Sequence, residues 1–83
     1  MTRKELIEAT KQTAKTLIKN NGYIKGMGTN KYRLMSENHT PLQNLDASVF
    51  YQLKANEIIH LDHLVYRPYL NANIELIDYK TPK

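Results

Sequence analysis

Lys25 and Arg33 flank a glycine-rich turn in the stretch GYIKGMGTNKYRL, residues 22 to 34. All three glycines of the chain lie there, with two tyrosines and three of the twelve Lys and Arg residues. Folded as a hairpin with Ile24 opposite Leu34, the stretch sets Lys25 opposite Arg33, Tyr23 opposite Met35 and Gly26 opposite Tyr32. Gly28-Thr29-Asn30 is left as the loop, with Asn30 suited to the left-handed conformation. Two cations opposed across a ladder repel one another. A phosphate between them reverses that sign, and Tyr23 beside them offers a ring on which a base or sugar stacks. A second set, Lys4, Lys11, Lys15 and Lys19, falls within an arc of about 80° on a helical wheel and can follow a phosphate backbone. The expected nucleic-acid contacts are therefore Lys4, Lys11, Lys15, Lys19, Tyr23, Lys25, Lys31 and Arg33. Their affinity comes mostly from counterion release, steep in salt and weak in sequence preference. The plain alternative is a solvated hairpin whose lysines blunt it against edge pairing.

Other chemistry has less to stand on. His60-Leu61-Asp62-His63 suggests a metal, but on a strand His60 and Asp62 share a face while His63 points to the other. His39 belongs to a turn remote in sequence, so no metal and no cofactor is expected. The chain contains no cysteine, which removes disulfides, thiolate ligands and thiol nucleophiles. No nucleophile elbow, P-loop, zinc-protease helix or dinucleotide fingerprint occurs. Gly26-Met27-Gly28 is turn chemistry rather than a phosphate cradle. Catalysis is not expected. A second helix with Asn44, Ser48 and Gln52 near its start is a poor major-groove reader, since Asp46 repels phosphate and no arginine is present.

These side chains need elements to position them. Residues 2 to 20 read as a helix with Thr2 as cap and Glu5 completing a capping box. Leu6, Ile7, Thr10, Ala14, Leu17 and Ile18 form its inward stripe, with the lysine ridge along one border. Asn20-Asn21-Gly22 stops it. In the hairpin, Ile24, Tyr32 and Leu34 face the helix, with Gly26 leaving room for the Tyr32 ring. Tyr23, Lys25, Arg33 and Met35 face outward. A turn at residues 37 to 41 leads to a short edge strand, Pro41 to Leu45. Asp46 or Asn44 caps a second helix, Ala47 to Asn56, with Val49, Phe50 and Leu53 inward. Residues 58 to 67 form one or two strands, with Ile59, Leu61 and Val65 on one face and His60, Asp62 and Tyr66 on the other. Ile74 to Tyr79 pairs back as a last strand, and residues 79 to 83 make a frayed end. The order is α-β-β-(β)-α-β-β, an α+β domain with helices on one face of an antiparallel sheet.

Eighty-three residues make one small domain spanning 1 to 83. The net charge of +4 is unevenly spread. Residues 1 to 33 carry eight bases against two acids, or +6, and residues 34 to 83 carry four against six, or −2. Such asymmetry points to an anionic partner, with nucleic acid the commonest. The polar N-terminus is no signal peptide and no apolar run spans a membrane, so a soluble cytoplasmic protein is expected. Tyr51, Tyr66, Tyr69 and Tyr79 with Phe50 make the second half aromatic, as half-buried caps of the core or as a protein-contact surface.

The run K-Y-R-L-M-S-E-N-H-T-P-L-Q-N-L, Lys31 to Leu45, with the helix and strand after it, resembles small phage and mobile-element domains of winged-helix-like type. The likeness covers roughly residues 22 to 67 and implies a compact module, many of whose relatives have no assigned function. In a winged helix, a helix-turn-helix pair precedes the wing. Here the hairpin comes before the second helix, so the resemblance assigns no functional residues. Together these readings describe a small, basic, non-catalytic accessory protein that binds DNA or RNA through phosphates, without a small-molecule substrate or a membrane. The alternative is an assembly module that meets a protein partner, or dimerises through its last strands or its tyrosine-rich half.

Overall fold

The computed structural model describes residues 1–81. Its elements run α1 (Arg3–Lys19), β1 (Tyr23–Gly28), β2 (Lys31–Met35), β3 (Pro41–Leu45), α2 (Ala47–Ala55), β4 (Ile59–Asp62) and β5 (Val65–Pro68), then a 3₁₀ turn, Ile74–Leu76. The strands form one five-stranded antiparallel sheet ordered β3-β2-β1-β5-β4. The helices touch each other on one face of it, giving the expected small α+β domain.

Each helix is closed by its own local chemistry. Thr2 Oγ1 accepts from the Glu5 N–H at 3.1 Å, and the Glu5 carboxylate accepts from the Thr2 N–H at 3.1 Å. That second bond favours the charged form and holds the Glu5 carboxyl below its usual range. At the other end the Gly22 N–H reaches the Leu17 carbonyl and the Asn21 N–H the Ile18 carbonyl, a Schellman closure with Asn21 left-handed at φ 49°. Helix α2 ends the same way. Ile58 bonds back to Leu53 and Glu57 to Lys54, with Glu57 left-handed at φ 57° and Ile58 and Leu53 both buried.

The buried stripe of α1 is Leu6, Thr10, Thr13, Ala14 and Leu17. Ile18, expected inside, is exposed and Thr13 takes its place. Thr10 and Thr13 donate their hydroxyls to the carbonyls of Leu6 and Ala9, at 2.7 and 2.8 Å. With their polar atoms satisfied within the helix, both pack as small apolar groups. Beneath the helices, the Phe50 ring stacks on Tyr32 at 3.7 Å and meets Tyr66 edge-on at 4.8 Å. One aromatic side chain thus joins α2 to both halves of the sheet.

The β1–β2 register matches the expected one from Tyr23 opposite Met35 to Gly26 opposite Tyr32. At the tip it differs. Gly28 pairs with Lys31, so the loop is Thr29-Asn30 and the register shift falls at Met27. A Cβ built on Gly26 meets nothing within 4 Å, so this glycine makes no room for Tyr32, whose ring goes to Phe50 instead. The parity of the C-terminal hairpin also needs correction. A two-residue turn, with His63 left-handed at φ 61°, joins β4 to β5 and pairs Leu61 with Tyr66 and His60 with Arg67. Opposed residues share a face. Ile59, Leu61 and Tyr66 therefore lie on the helix side, and His60, Asp62, Val65 and Arg67 on the other.

No last strand forms from Ile74 to Tyr79. A 3₁₀ turn leads instead into an extended strap that α2 grips through Asn56, Gln52 and Tyr51, bonded to residues 78, 80 and 81. Residues 79 to 81 are thus held rather than frayed, while Pro82 and Lys83 of the expected tail lie outside the described residues.

A Cβ on Gly22 would run into the backbone carbonyl of Met35, whereas one on Gly26 points into open space. Gly22→Ala should lower stability by about 1–3 kcal/mol through this overlap, and Gly26→Ala should change it by less than about 0.5 kcal/mol. Urea denaturation of the two variants beside the parent chain measures both.

Candidate nucleic-acid interface

The pleat decides where the hairpin cations go. Ile24 and Leu34 are fully buried under the helices, so their neighbours Lys25 and Arg33 emerge on the helix-free side of the sheet. They sit directly opposite one another, as expected. Among the described residues, no carboxylate comes within salt-bridge reach of either. Arg33 Nε donates to Asn44 Oδ1 at 3.1 Å across the β2–β3 ladder, which fixes the guanidinium in the sheet plane's neighbourhood. Lys31 continues the row at the hairpin tip. With Arg33, Asn44 and Asp46 it lines a concavity of about 310 Å³.

Helix α1 displays its lysines elsewhere. On a wheel of 100° per residue, the mean direction of Lys4, Lys11, Lys15 and Lys19 lies about 150° from that of the buried stripe. The ridge was expected along the border of that stripe. Burial of Thr13 in place of Ile18 turns the helix so that the ridge points away from the sheet. Lys11 and Lys15 therefore look out from the helix layer while Lys25 and Arg33 look out from the opposite face. The seven cations among the eight expected contacts make two surfaces rather than one, back to back across a molecule whose shortest extent is 20 Å.

Tyr23 also departs from its expected role. It lies on the outer face of the sheet but is only 8% exposed, and Met35 beside it 4%. The turn between β2 and β3 folds over it. Tyr23 Oη and His39 Nδ1 are 2.7 Å apart and the rings meet edge-on at 5.7 Å. His39 reaches this position with φ 66°, its N–H bonded to the Ser36 carbonyl at 3.0 Å. From the other side the Arg67 guanidinium lies 5.3 Å from the Tyr23 ring centre. Tyr23 is thus the floor of a small outer cluster and has no open face for a base.

Two residues on this surface, Arg67 and Tyr69, are not among the expected nucleic-acid contacts, although Tyr69 is one of the aromatics expected as a core cap or protein contact. Arg67 joins the outer face through its pairing with His60, and its charge is shared with Asp62 at 3.5 Å. Tyr69, partly exposed, tilts against His60 at 4.5 Å and supplies the accessible ring that Tyr23 does not. Recognising that residues 59 to 68 turn back at His63-Leu64 would have found both, because it resets the alternation. His60, Asp62 and His63 do not converge: His63 is at the hairpin tip, almost fully exposed, 3.7 Å from Asp62. Among the described residues no group of three or more His, Asp or Glu is placed to hold a metal ion, and no helix is long and apolar enough to cross a membrane. Tyr66 and Tyr79 of the aromatic half pack partly buried against the core.

Compared with models of protein families, with curated proteins and with solved structures, the chain finds no match. What the outer face can do is thus a matter of its own geometry.

Tyr23→Phe removes the hydroxyl that meets His39 and leaves the ring in place. It should cost about 0.5–1.5 kcal/mol, the worth of one hydrogen bond. Thermal melts of the variant and the parent read this directly.

Proposed function

We propose that the protein is a non-catalytic nucleic-acid-binding domain that takes a single strand on the open face of its sheet. The observation that carries this reading is the half-buried pair Lys25 and Arg33, opposed on neighbouring strands with no carboxylate in salt-bridge reach of either among the described residues. Without a ligand the pair raises the energy of the sheet. A phosphate in front of it supplies the missing charge. Lys31 extends the positive row on one side and Arg67 on the other, and His60 with Tyr69 offers a stacking surface at the far strand. At strand spacings of about 4.8 Å, the surface from β2 to β4 is about 14 Å wide. A basic strand surface with an aromatic margin suits unstacked bases better than a duplex groove. The α1 ridge is then a separate, weaker electrostatic surface. A place among small phage or mobile-element proteins belongs to the same proposal and is supported by the pattern from Lys31 to Leu45 alone.

A second reading, an assembly module, has its own observation. Leu61 and Leu64 are 62% and 92% exposed, on and beside the edge strand β4, whose outer side pairs with no strand among the described residues. Unprotected apolar edges are templates for another chain. Sedimentation equilibrium should then show a dimer that Leu61→Lys dissolves, and a parent chain monomeric at every concentration would remove this reading.

For the main proposal, fluorescence polarisation with labelled single- and double-stranded oligonucleotides at about 50 mM salt is the test. Three to four phosphate contacts predict a slope of log K against log salt of about −2 to −3 for single strands. The double variant Lys25→Glu, Arg33→Glu should abolish binding, and Lys11→Glu, Lys15→Glu should leave most of it. Absence of binding by the parent chain, or a greater loss from the helix pair, overturns the assignment.

A further inference from the structure

Gln52 and Asn56 stand one helical turn apart on α2, and each side-chain amide engages one residue of the C-terminal strap in both directions. Gln52 Nε2 donates to the Lys80 carbonyl at 2.7 Å, and its Oε1 accepts from the Lys80 N–H at 2.9 Å. Asn56 Nδ2 donates to the Asp78 carbonyl at 2.9 Å, and its Oδ1 accepts from the Asp78 N–H at 3.0 Å. Tyr51 adds a hydroxyl bond to the Thr81 carbonyl at 3.1 Å. The alternate residues point inward. Ile77 is buried, and Tyr79 packs on the core with the Arg3 guanidinium 4.6 Å from its ring centre. Backbone read at every second residue, with side-chain seats between, is how a sheet edge captures an added strand. Here a helix does it with two amides. With the strap in place Gln52 is only 2% exposed, so its amide must be paired there, and the Lys80 backbone supplies both partners. Any extended segment with an aliphatic residue two before an aromatic one supplies that partner.

We propose that this groove is an exchange site, in which the Ile77–Thr81 strap of one copy docks on α2 of a second copy and the second returns its own. Every bond named above is remade unchanged in trans, so the closed and exchanged forms differ only at the hinge and in new contacts. The connection permits it. Between Ala72 and Ile77 the backbone bonds are local, Ala72 to Tyr69, Leu76 to Asn73 and Ile77 to Ile74, so unwinding the turn breaks no ladder. Residues 70 to 76, beyond the bond from the Tyr69 N–H to the Ile58 carbonyl, reach about 23–25 Å when extended, more than the 20 Å shortest extent of the molecule. Leu70 and Leu76, exposed on this hinge, are the apolar surface that a neighbouring copy covers. The tethered strap has an effective concentration in the millimolar range, so the closed monomer prevails at micromolar protein and exchange emerges near millimolar.

Because the chain has no cysteine, thiol cross-linking of the intact protein is clean. Ala55 and Lys80 line one shallow pocket beside the strap. The double variant Ala55→Cys, Lys80→Cys at about 10 µM should close within one chain with a short bismaleimide, well below the exchange regime. Ala55→Cys and Lys80→Cys chains, folded separately and mixed at about 1 mM, should give a cross-linked heterodimer. Its yield should be several-fold above that of Lys80→Cys mixed with Lys31→Cys. Adding Gln52→Ala to the Ala55→Cys chain should lower it. A heterodimer yield equal to the Lys31→Cys control overturns the exchange, as does a dimer in sedimentation that never links positions 55 and 80. Failure of the double variant to close overturns the strap geometry itself.

Discussion

Both helices lie on one face of the sheet, and the pleat then allots every strand residue to a dry side or a wet side. Ile24, Leu34, Leu45 and Ile59 are the dry set, packed against Leu17, Val49, Phe50 and Leu53. Burying side chains of this size stabilises the fold by roughly 1.5–3 kcal/mol each, far more than any surface charge pair contributes. The positions of Lys25, Arg33 and Arg67 are consequences of that burial. They stand on the outer face because their neighbours cannot. Whatever the outer face binds, its cations were placed there by the core.

Phe50 gives this one-sided packing its coherence. It lies between Tyr32 of β2 and Tyr66 of β5, two strands separated by β1 in the sheet. Aromatic contacts of this kind add about 0.5–1.5 kcal/mol each beyond their area. They tie the basic N-terminal hairpin to the C-terminal one, so the charge asymmetry of the sequence does not become an asymmetry between two bodies. The outer face mixes cations from both halves. The same helix that presents Phe50 inward presents Gln52 and Asn56 to the strap, so α2 organises the sheet with one side and the chain terminus with another.

The elements were legible from residues 1 to 62 because local rules dominate there. Thr2 and Glu5 announce a helix start, Asn20-Asn21-Gly22 its end, and the alternation of Tyr23 to Gly26 against Tyr32 to Met35 gives the register. The misses have specific physical causes. Thr13 looks polar in sequence but satisfies its hydroxyl within α1 and is buried where Ile18 was expected, and this rotates the helix relative to a hydropathy count. Tyr23 and Met35 have outward parity, yet a turn folded over them makes them dry. Ile74 to Tyr79 has the composition of a strand, but Gln52 and Asn56 offer its backbone partners before any strand edge does.

By itself, the chain of residues determined the α+β order, the opposition of Lys25 and Arg33 and the concentration of positive charge before residue 34. These follow from capping, alternation and composition, which act over a few positions. Tertiary packing alone decided that the lysines of α1 and the cations of the hairpin face opposite ways, that Arg67 and Tyr69 join the outer face, and that α2 holds the strap. Direction in space depends on which side of each element is driest. That is settled by the sum of all its neighbours, and no local pattern carries the sum.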